Sequence, residues 1–309
     1  MLEISHLTRS FGTLRAVDDV SFQVPPGALT GFIGGNGAGK TTTMRMILGV
    51  LSADAGEVRL DGRLVTRAVS RDFGYMPEER GLYPKMRVAE QITYLATLHG
   101  LPRATAAERA NQLLTQLGLG QRLADPVEKL SLGNQQRAQI AAALAGDPTV
   151  LVLDEPFSGL DPMAVDTVGE ILRGYVDRGC PLIFSSHQLD LVERLCDHLV
   201  IIAAGRIRAA GSRADLLRSY AGHRWEIDCG PAGWIAAMPG VAAVEAADGR
   251  TRFAVAAPDE RAAAAAAEQV LRAALDRGPV AAFGPWQPTL VEVFREVIVD
   301  QTSDKEDSR

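Results

Sequence analysis

Apolar and polar positions change rhythm several times along this chain. From Leu2 to Ile33 the apolar residues fall in short strand-like runs, Leu2 to Leu7, Ala16 to Val24 and Ala28 to Ile33, with Pro25-Pro26-Gly27 as a turn. Glu57 to Gly62 continues that texture, and Asp61-Gly62 is a tight-hairpin signal. Beyond Thr41, residues Met44, Ile47 and Leu48 sit at helical spacing and predict a helix to Val50. From about Val88 to Ala145 apolar residues recur three and four apart (Ile92, Leu95, Leu98; Leu113, Leu114, Leu117; Ile140, Ala143, Leu144), which predicts a helical insert. Val150 to Leu153 and Pro181 to Phe184 are continuous apolar runs on either side of a helical pattern from Met163 to Asp177. They suit strands of a buried parallel sheet. His198 to Ile207 predicts a hairpin turning at Ala204-Gly205.

A compositional break falls near Ser219 to His223. Past it, Trp225 to Cys229, Thr251 to Ala257 and Val280 to Trp286 read as strands. Pro258 to Asp276 is an Ala-rich helix, and Pro288 to Val299 a closing helix with Pro at its start. The expected layout is a large domain over 1–218, a small α+β domain over 223–300, and a polar, disordered tail over 301–309.

With 309 residues the chain has room for both domains, and 47% apolar with 23% charged residues is ordinary for a water-soluble fold. No apolar run nears the roughly 20 residues that cross a bilayer. Met1 to His6 lacks the basic-then-apolar layout of a secretory leader. Cys180, Cys196 and Cys229 are odd in number and widely spaced, which fits reduced thiols rather than a disulfide frame or a zinc site. A cytoplasmic chain is expected. The net charge of −6 argues against a general nucleic-acid binder.

Chemistry enters at residues 34–41, Gly-Gly-Asn-Gly-Ala-Gly-Lys-Thr, a complete G-x-x-x-x-G-K-[ST] loop between an apolar strand and a helix. Such a loop turns successive N–H groups onto phosphate oxygens at a helix N-terminus. Lys40 would reach the β- and γ-phosphates and the Thr41 hydroxyl would ligate Mg²⁺. Lys40, Lys85, Lys129 and Lys305 are the only lysines, and no other follows Gly and precedes Ser or Thr, so a second such loop is excluded. Val150 to Leu153 runs into Asp154-Glu155, where Asp154 would hold Mg²⁺ and Glu155 would orient and deprotonate an attacking water. Ser131 in Leu130-Ser131-Leu132-Gly133-Asn134 opens a helix as an N-cap, a role that by itself needs no ligand. His187, after Ser185-Ser186, could point at a γ-phosphate, although a lone His there is more often structural.

Together these residues resemble the ATP-binding-cassette (ABC) ATPase family, over roughly residues 1 to 215 and with at least five motifs in the family's order. The resemblance implies a P-loop NTPase α/β fold: a parallel-sheet core, an antiparallel β subdomain, an α-helical subdomain at about 86–145, and here the small C-terminal α+β domain. It implies that Phe11 stacks on adenine and that Gly34, Gly35, Asn36, Gly37, Ala38, Gly39, Lys40, Thr41 and Thr42 form the Walker A loop. Asp154 and Glu155 become the Walker B acid and catalytic carboxylate, and His187 the switch histidine. Ser131 and Gly133 match signature positions that contact the γ-phosphate bound to a partner subunit, and Asp161 belongs to the D-loop. ATP and Mg²⁺ are the expected cofactors. The chain departs from the family at Leu132 and Asn134 of the signature and at Glu78, where Gln usually stands. Glu78 remains an oxygen ligand for Mg²⁺ but adds negative charge near a γ-phosphate. Glu78 to Pro84 looks like a segment of one exporter branch, sodium-extrusion-like, that also carries a small C-terminal domain.

The leading expectation is the ATPase subunit of a transporter, most simply an exporter, peripheral on the inner face of the membrane. Its partners would be a separate integral membrane permease and a second copy of itself or a paralogous ATPase, paired head to tail around two MgATP. The loop from Tyr83 to Leu98 is either the permease's socket or plain packing. A ribosome- or DNA-directed ATPase is disfavoured by the single phosphate loop and by the short gap between Thr42 and Leu130, which lacks sustained heptads. A binding module that holds ATP without hydrolysis finds support only in Glu78.

Overall fold

The structure is a computed structural model describing residues 1–79, 81–247 and 250–297. These fall into two compact units, one from Met1 to Arg213 and another from Ala214 to Glu296.

In the first unit, β1 (Leu2–Phe11) and β2 (Leu14–Val24) pair antiparallel, and β3 (Leu29–Ile33) leads through a loop into α1 (Lys40–Ile47). Next, β4 (Ala55–Leu60) and β5 (Arg63–Leu64) complete a sheet of order β2-β1-β4-β5. Asp61 and Gly62 form its two-residue hairpin, both with positive φ (49° and 75°), as the twist of paired strands requires. β1 and β2 run further than their apolar runs do, because cross-strand pairing carries Phe11 opposite Leu14.

After β6 (Phe73–Met76) comes the helical insert, α2 (Val88–Leu98), α3 (Arg103–Gln116) and α4 (Leu132–Leu144). Then β7 (Val150–Leu153), α5 (Pro162–Asp177), β8 (Leu182–Ser186), α6 (Leu189–Leu195), β9 (His198–Ala203) and β10 (Arg206–Ser212) finish the unit. The second sheet has the order β10-β9-β3-β8-β7-β6, parallel except for β10. Every residue of β3, β7 and β8 is buried, which is why those runs are continuously apolar rather than alternating. A core containing Phe22, Phe32, Met44, Ile47, Val152 and Val200 joins α1 and both sheets, with the Phe22 and Phe32 rings 5.4 Å apart.

Sequence pattern did not flag β6. It is a four-residue edge strand interrupted by Gly74, whose missing Cβ is required because α4 packs so close that Ala143 O would lie 2.4 Å from it.

The second unit opens with most of α7 (Arg213–Ala221), so the division falls ahead of the compositional break. It continues through β11 (Arg224–Asp228), β12 (Val241–Ala247), β13 (Arg250–Val255), α8 (Glu260–Leu275) and β14 (Ala282–Pro285). The sheet is antiparallel, in the order β12-β13-β11-β14, and Ala267, Val270 and Ala274 of α8 join Ile227, Phe253 and Val255 in one core. Four strands stand where three were expected. β12 is an Ala-rich edge strand and carries little β-propensity of its own. Residues 290–297 are helical, two positions beyond Pro288. The expected end of that helix at Val299 and the tail over 301–309 lie outside the described residues.

Candidate functional site

Open parallel sheets bind ligands beyond the carboxyl ends of their strands, where the loops diverge. Here four neighbouring strands end at the same edge. β3 runs into the 34–39 loop, β6 into Pro77-Glu78, β7 into Asp154-Glu155 and β8 toward His187. A cavity of about 600 Å³ opens there, lined by residues 35–42, Glu78, Asp154, Glu155 and His187, and closed on one side by Phe11, Leu14 and Ala16 of the antiparallel sheet. Phe11 keeps an exposed ring (47%) at the end of β1, with the Arg9 guanidinium 5.1 Å from its centre, so a planar apolar face is presented at the mouth.

The loop is shaped by what it cannot accommodate. Gly39 caps α1 in the left-handed region (φ 105°), and a Cβ there would lie 2.7 Å from Ala16 O. A Cβ on Gly34, at the back of the loop, would sit 2.5 Å from Ile202 O. The β9–β10 turn braces the loop from outside, as Gly205 N donates to Ala38 O at 3.0 Å. The first turn of α1 leaves N–H groups with no acceptor inside the helix, and they open toward the cavity with the positive end of the helix dipole. Lys40 Nζ reaches back along the loop and donates to Gly34 O (2.7 Å) and Gly35 O (3.3 Å). The ammonium is thereby held over the concavity that a phosphate chain would fill.

Asp154 is buried (1% exposed) yet fully engaged. It accepts from Thr41 Oγ1 at 2.8 Å and from the Ser185 hydroxyl, and its own N–H donates to Met76 O at 2.8 Å. Ser185 Oγ also accepts from Glu155 N at 2.8 Å, so one hydroxyl ties both carboxylate residues to the end of β8. Glu155 sits at φ 51°, and its side chain pairs with His187 Nδ1 at 3.0 Å. Burial raises the pKa of the Tyr75 phenol above its ordinary value and the Asp154 charge raises it further, against the neighbouring Arg45, which keeps a neutral hydroxyl beside Asp154.

Mg²⁺ takes hard oxygen ligands, usually one or two carboxylates completed by phosphates and water. Thr41, Asp154 and Glu78 supply a hydroxyl and two carboxylates to the same cavity. No cage of three or more His, Cys, Asp or Glu exists among the described residues. One hydroxyl and two carboxylates are a donor set that fits Mg²⁺.

Ser131, Gly133 and Asp161 stand apart from this cavity. Ser131 caps α4 by accepting from Asn134 N at 3.4 Å, and Asp161 caps α5 by accepting from Ala164 N at 2.9 Å. The two helix starts are joined: Arg137 donates to Asp161 at 3.2 Å, and a Cβ on Gly133 would lie 3.1 Å from Gly159 O. The structure thus gathers the sequence-derived candidates into two groups, one around residues 34–42 and one at the starts of α4 and α5. Sequence reading passed over Ser185, Gln136, Gln139 and Arg137 as participants. The burial of Ser185, Gln136 and Gln139, which sets them apart from solvent-facing polar residues, is visible only in the fold.

Comparison with known proteins agrees with this geometry. The family model described as "ABC transporter" matches residues 17–158, and one described as "ATP-binding protein DrrA1-3-like, C-terminal domain" matches residues 211–298. The ABC transporter ATP-binding protein YhaQ of Bacillus subtilis is 42% identical over 220 residues, covering 71% of this chain and 74% of its own. The Nod factor export ATP-binding protein I of Ralstonia nicotianae is 38% identical over 220 residues, covering 70% and 68%. A solved structure, that of an ATP-binding subunit of an ABC transporter, superposes with a TM-score of 0.66 at 32% identity, over 71% of this chain and 93% of that one.

The chain belongs to the ABC transporter ATP-binding proteins. It is a transporter's ATP-binding subunit, an ATPase that uses ATP with Mg²⁺, and that role implies a membrane permease as partner and pairing of ATPase cassettes. No helix among the described residues is long and apolar enough to cross a membrane.

Proposed function

We propose that this chain drives export through a separate permease, working from the inner face of the membrane as half of a head-to-tail pair of ATPase subunits. The observation that carries the reading is the partition of the site. Phe11, the 34–42 loop, Glu78, Asp154, Glu155 and His187 share one cavity, while Ser131, Gly133 and Asp161 share another surface. A second copy turned head to tail would lay that surface over the cavity and complete it. The second copy is either this chain or a paralogous ATPase. Export as the direction is supported by the relative named for Nod factor export and by the C-terminal match to DrrA-like ATP-binding proteins.

Within the cavity, Phe11 offers a face for adenine stacking, and the loop amides with Lys40 neutralise the phosphate chain. Thr41, Asp154 and Glu78 would hold Mg²⁺, which when bound neutralises charge on the β- and γ-phosphates. Glu155 accepts the proton of the attacking water, and its 3.0 Å bond to His187 fixes its aim. His187 is 58% exposed and has freedom to turn toward a γ-phosphate. We assign residues 1–218 to the ATPase domain and 223–300 to an accessory domain. Exposed Tyr83, just ahead of the helical insert, with Tyr94 and Leu98 on α2, is our choice for the permease contact.

The deciding experiment is Glu155→Gln on the full-length chain. Phosphate release should fall by roughly 10²- to 10⁴-fold, the range of a general base, and gel filtration in saturating MgATP should show a persistent dimer. Unchanged turnover would remove Glu155 from its role, and a monomer under those conditions would remove the paired site.

A further inference from the structure

Helix α4 makes two contacts with the cavity's loops, and both are made by buried glutamine amides. Gln139 Nε2 donates to Pro77 O at 2.6 Å and to Glu79 O at 3.2 Å, the carbonyls on either side of Glu78. One helical turn earlier, Gln136 Nε2 donates to Glu155 O at 2.9 Å and to Pro156 O at 3.1 Å. Both side chains are more than nine-tenths buried, at 4% and 7% exposure. In each case two carbonyls converge on one nitrogen, a demand that an amide with its two N–H donors meets and a carboxylate does not.

We propose that Gln139 is a positioning residue: by clamping the backbone on both sides of Glu78 it sets that carboxylate's approach to the divalent cation. Gln136 does the same for the segment that carries Glu155. The two sit three residues apart on the same helix, so α4 is a common mount for both carboxylates. The same helix begins at Ser131, on the surface expected to meet the second subunit. A shift of α4 on pairing therefore moves Glu78 and Glu155 together. The inference rests on the reading of Glu78 as a metal ligand and adds what holds it in place.

The test is a titration of Mn²⁺, followed by electron paramagnetic resonance, into full-length protein saturated with the non-hydrolysable analogue AMP-PNP. Gln139→Met keeps the volume and removes both donors. It should weaken Mn²⁺ about five- to twenty-fold, while AMP-PNP affinity in EDTA stays within two-fold, because the phosphate loop is untouched. Glu78→Ala should weaken Mn²⁺ comparably, and adding Gln139→Met to it should change affinity by less than two-fold. Gln136→Met should lower kcat of MgATP hydrolysis and leave Mn²⁺ affinity within two-fold. If Gln139→Met does not fold, Gln139→Asn, with both donors one methylene short, takes its place and should fall between wild type and Glu78→Ala. Equal weakening by Gln139→Met in both backgrounds, or Mn²⁺ affinity like wild type, overturns the proposal. Glu78→Ala with wild-type Mn²⁺ affinity instead overturns the ligand reading of Glu78 on which it rests.

Discussion

Ser185→Ala removes one oxygen that serves two residues of the proposed catalytic pair. The hydroxyl donates to the buried Asp154 carboxylate and accepts from Glu155 N–H at 2.8 Å, and Ser185 itself has no exposed surface. A hydrogen bond to a charged acceptor contributes about 1.5–3 kcal/mol and a neutral one about 1 kcal/mol, and neither partner gains water when the hydroxyl goes. The expected loss is therefore about 3 kcal/mol. For a unit of this size that is a fall in Tm of roughly 6–12 °C, measured by thermal melting of the nucleotide-free protein. Turnover should fall further than stability implies. Glu155 N–H loses the acceptor that fixes its backbone, and a displacement of about 1 Å in a catalytic group can cost about 10²-fold in rate. Ser185→Cys, with a weaker donor in nearly the same volume, should show a smaller loss of both. A Tm within about 2 °C of wild type together with unchanged phosphate release would refute the idea that this hydroxyl braces the pair.

Three more outcomes rest on the same structure. Lys40→Ala removes a charge-assisted contact to phosphate, and ATP affinity by calorimetry should drop roughly ten- to hundred-fold; an unchanged Kd would mean the loop does not hold the phosphate chain. His198 is half-buried, and burial lowers its pKa below 6.5, so the unfolded chain takes up this proton first as pH falls. Its stabilising contribution is complete above pH 6.5 and is lost as pH drops from there toward the folded value. His198→Gln should flatten the decline of Tm between about pH 7 and 5.5, and a parallel decline in both proteins would exclude it. Burial pushes the Cys180 thiol up to about 11 and the Cys196 thiol higher still, so neither should react with maleimide in the native state at pH 7; rapid labelling of either would contradict their packing.

The candidate site was legible in the sequence wherever chemistry demands particular residues at fixed spacing. The loop from Gly34 to Thr42, the Asp154-Glu155 pair and His187 are of that kind, and the structure places them around one cavity. The parallel core was legible because its strands are apolar throughout. What sequence pattern missed shares one cause: its stabilisation is non-local. β6 and β12 are edge strands whose pairing partners supply what their own residues lack. Gln139 reaches a segment 60 to 62 positions away, and Ser185 one that is 30 to 31 positions away. Nothing in a linear pattern distinguishes such a polar residue from one facing solvent.

Glu155 occupies the left-handed region at φ 51°, where any residue with a Cβ is strained by about 1–3 kcal/mol. Gly would relax that strain, so selection for heat resistance alone should drive this codon away from Glu and, on the role proposed for Glu155, yield sturdier but inert enzymes. Durability and turnover are set against each other at a single backbone angle.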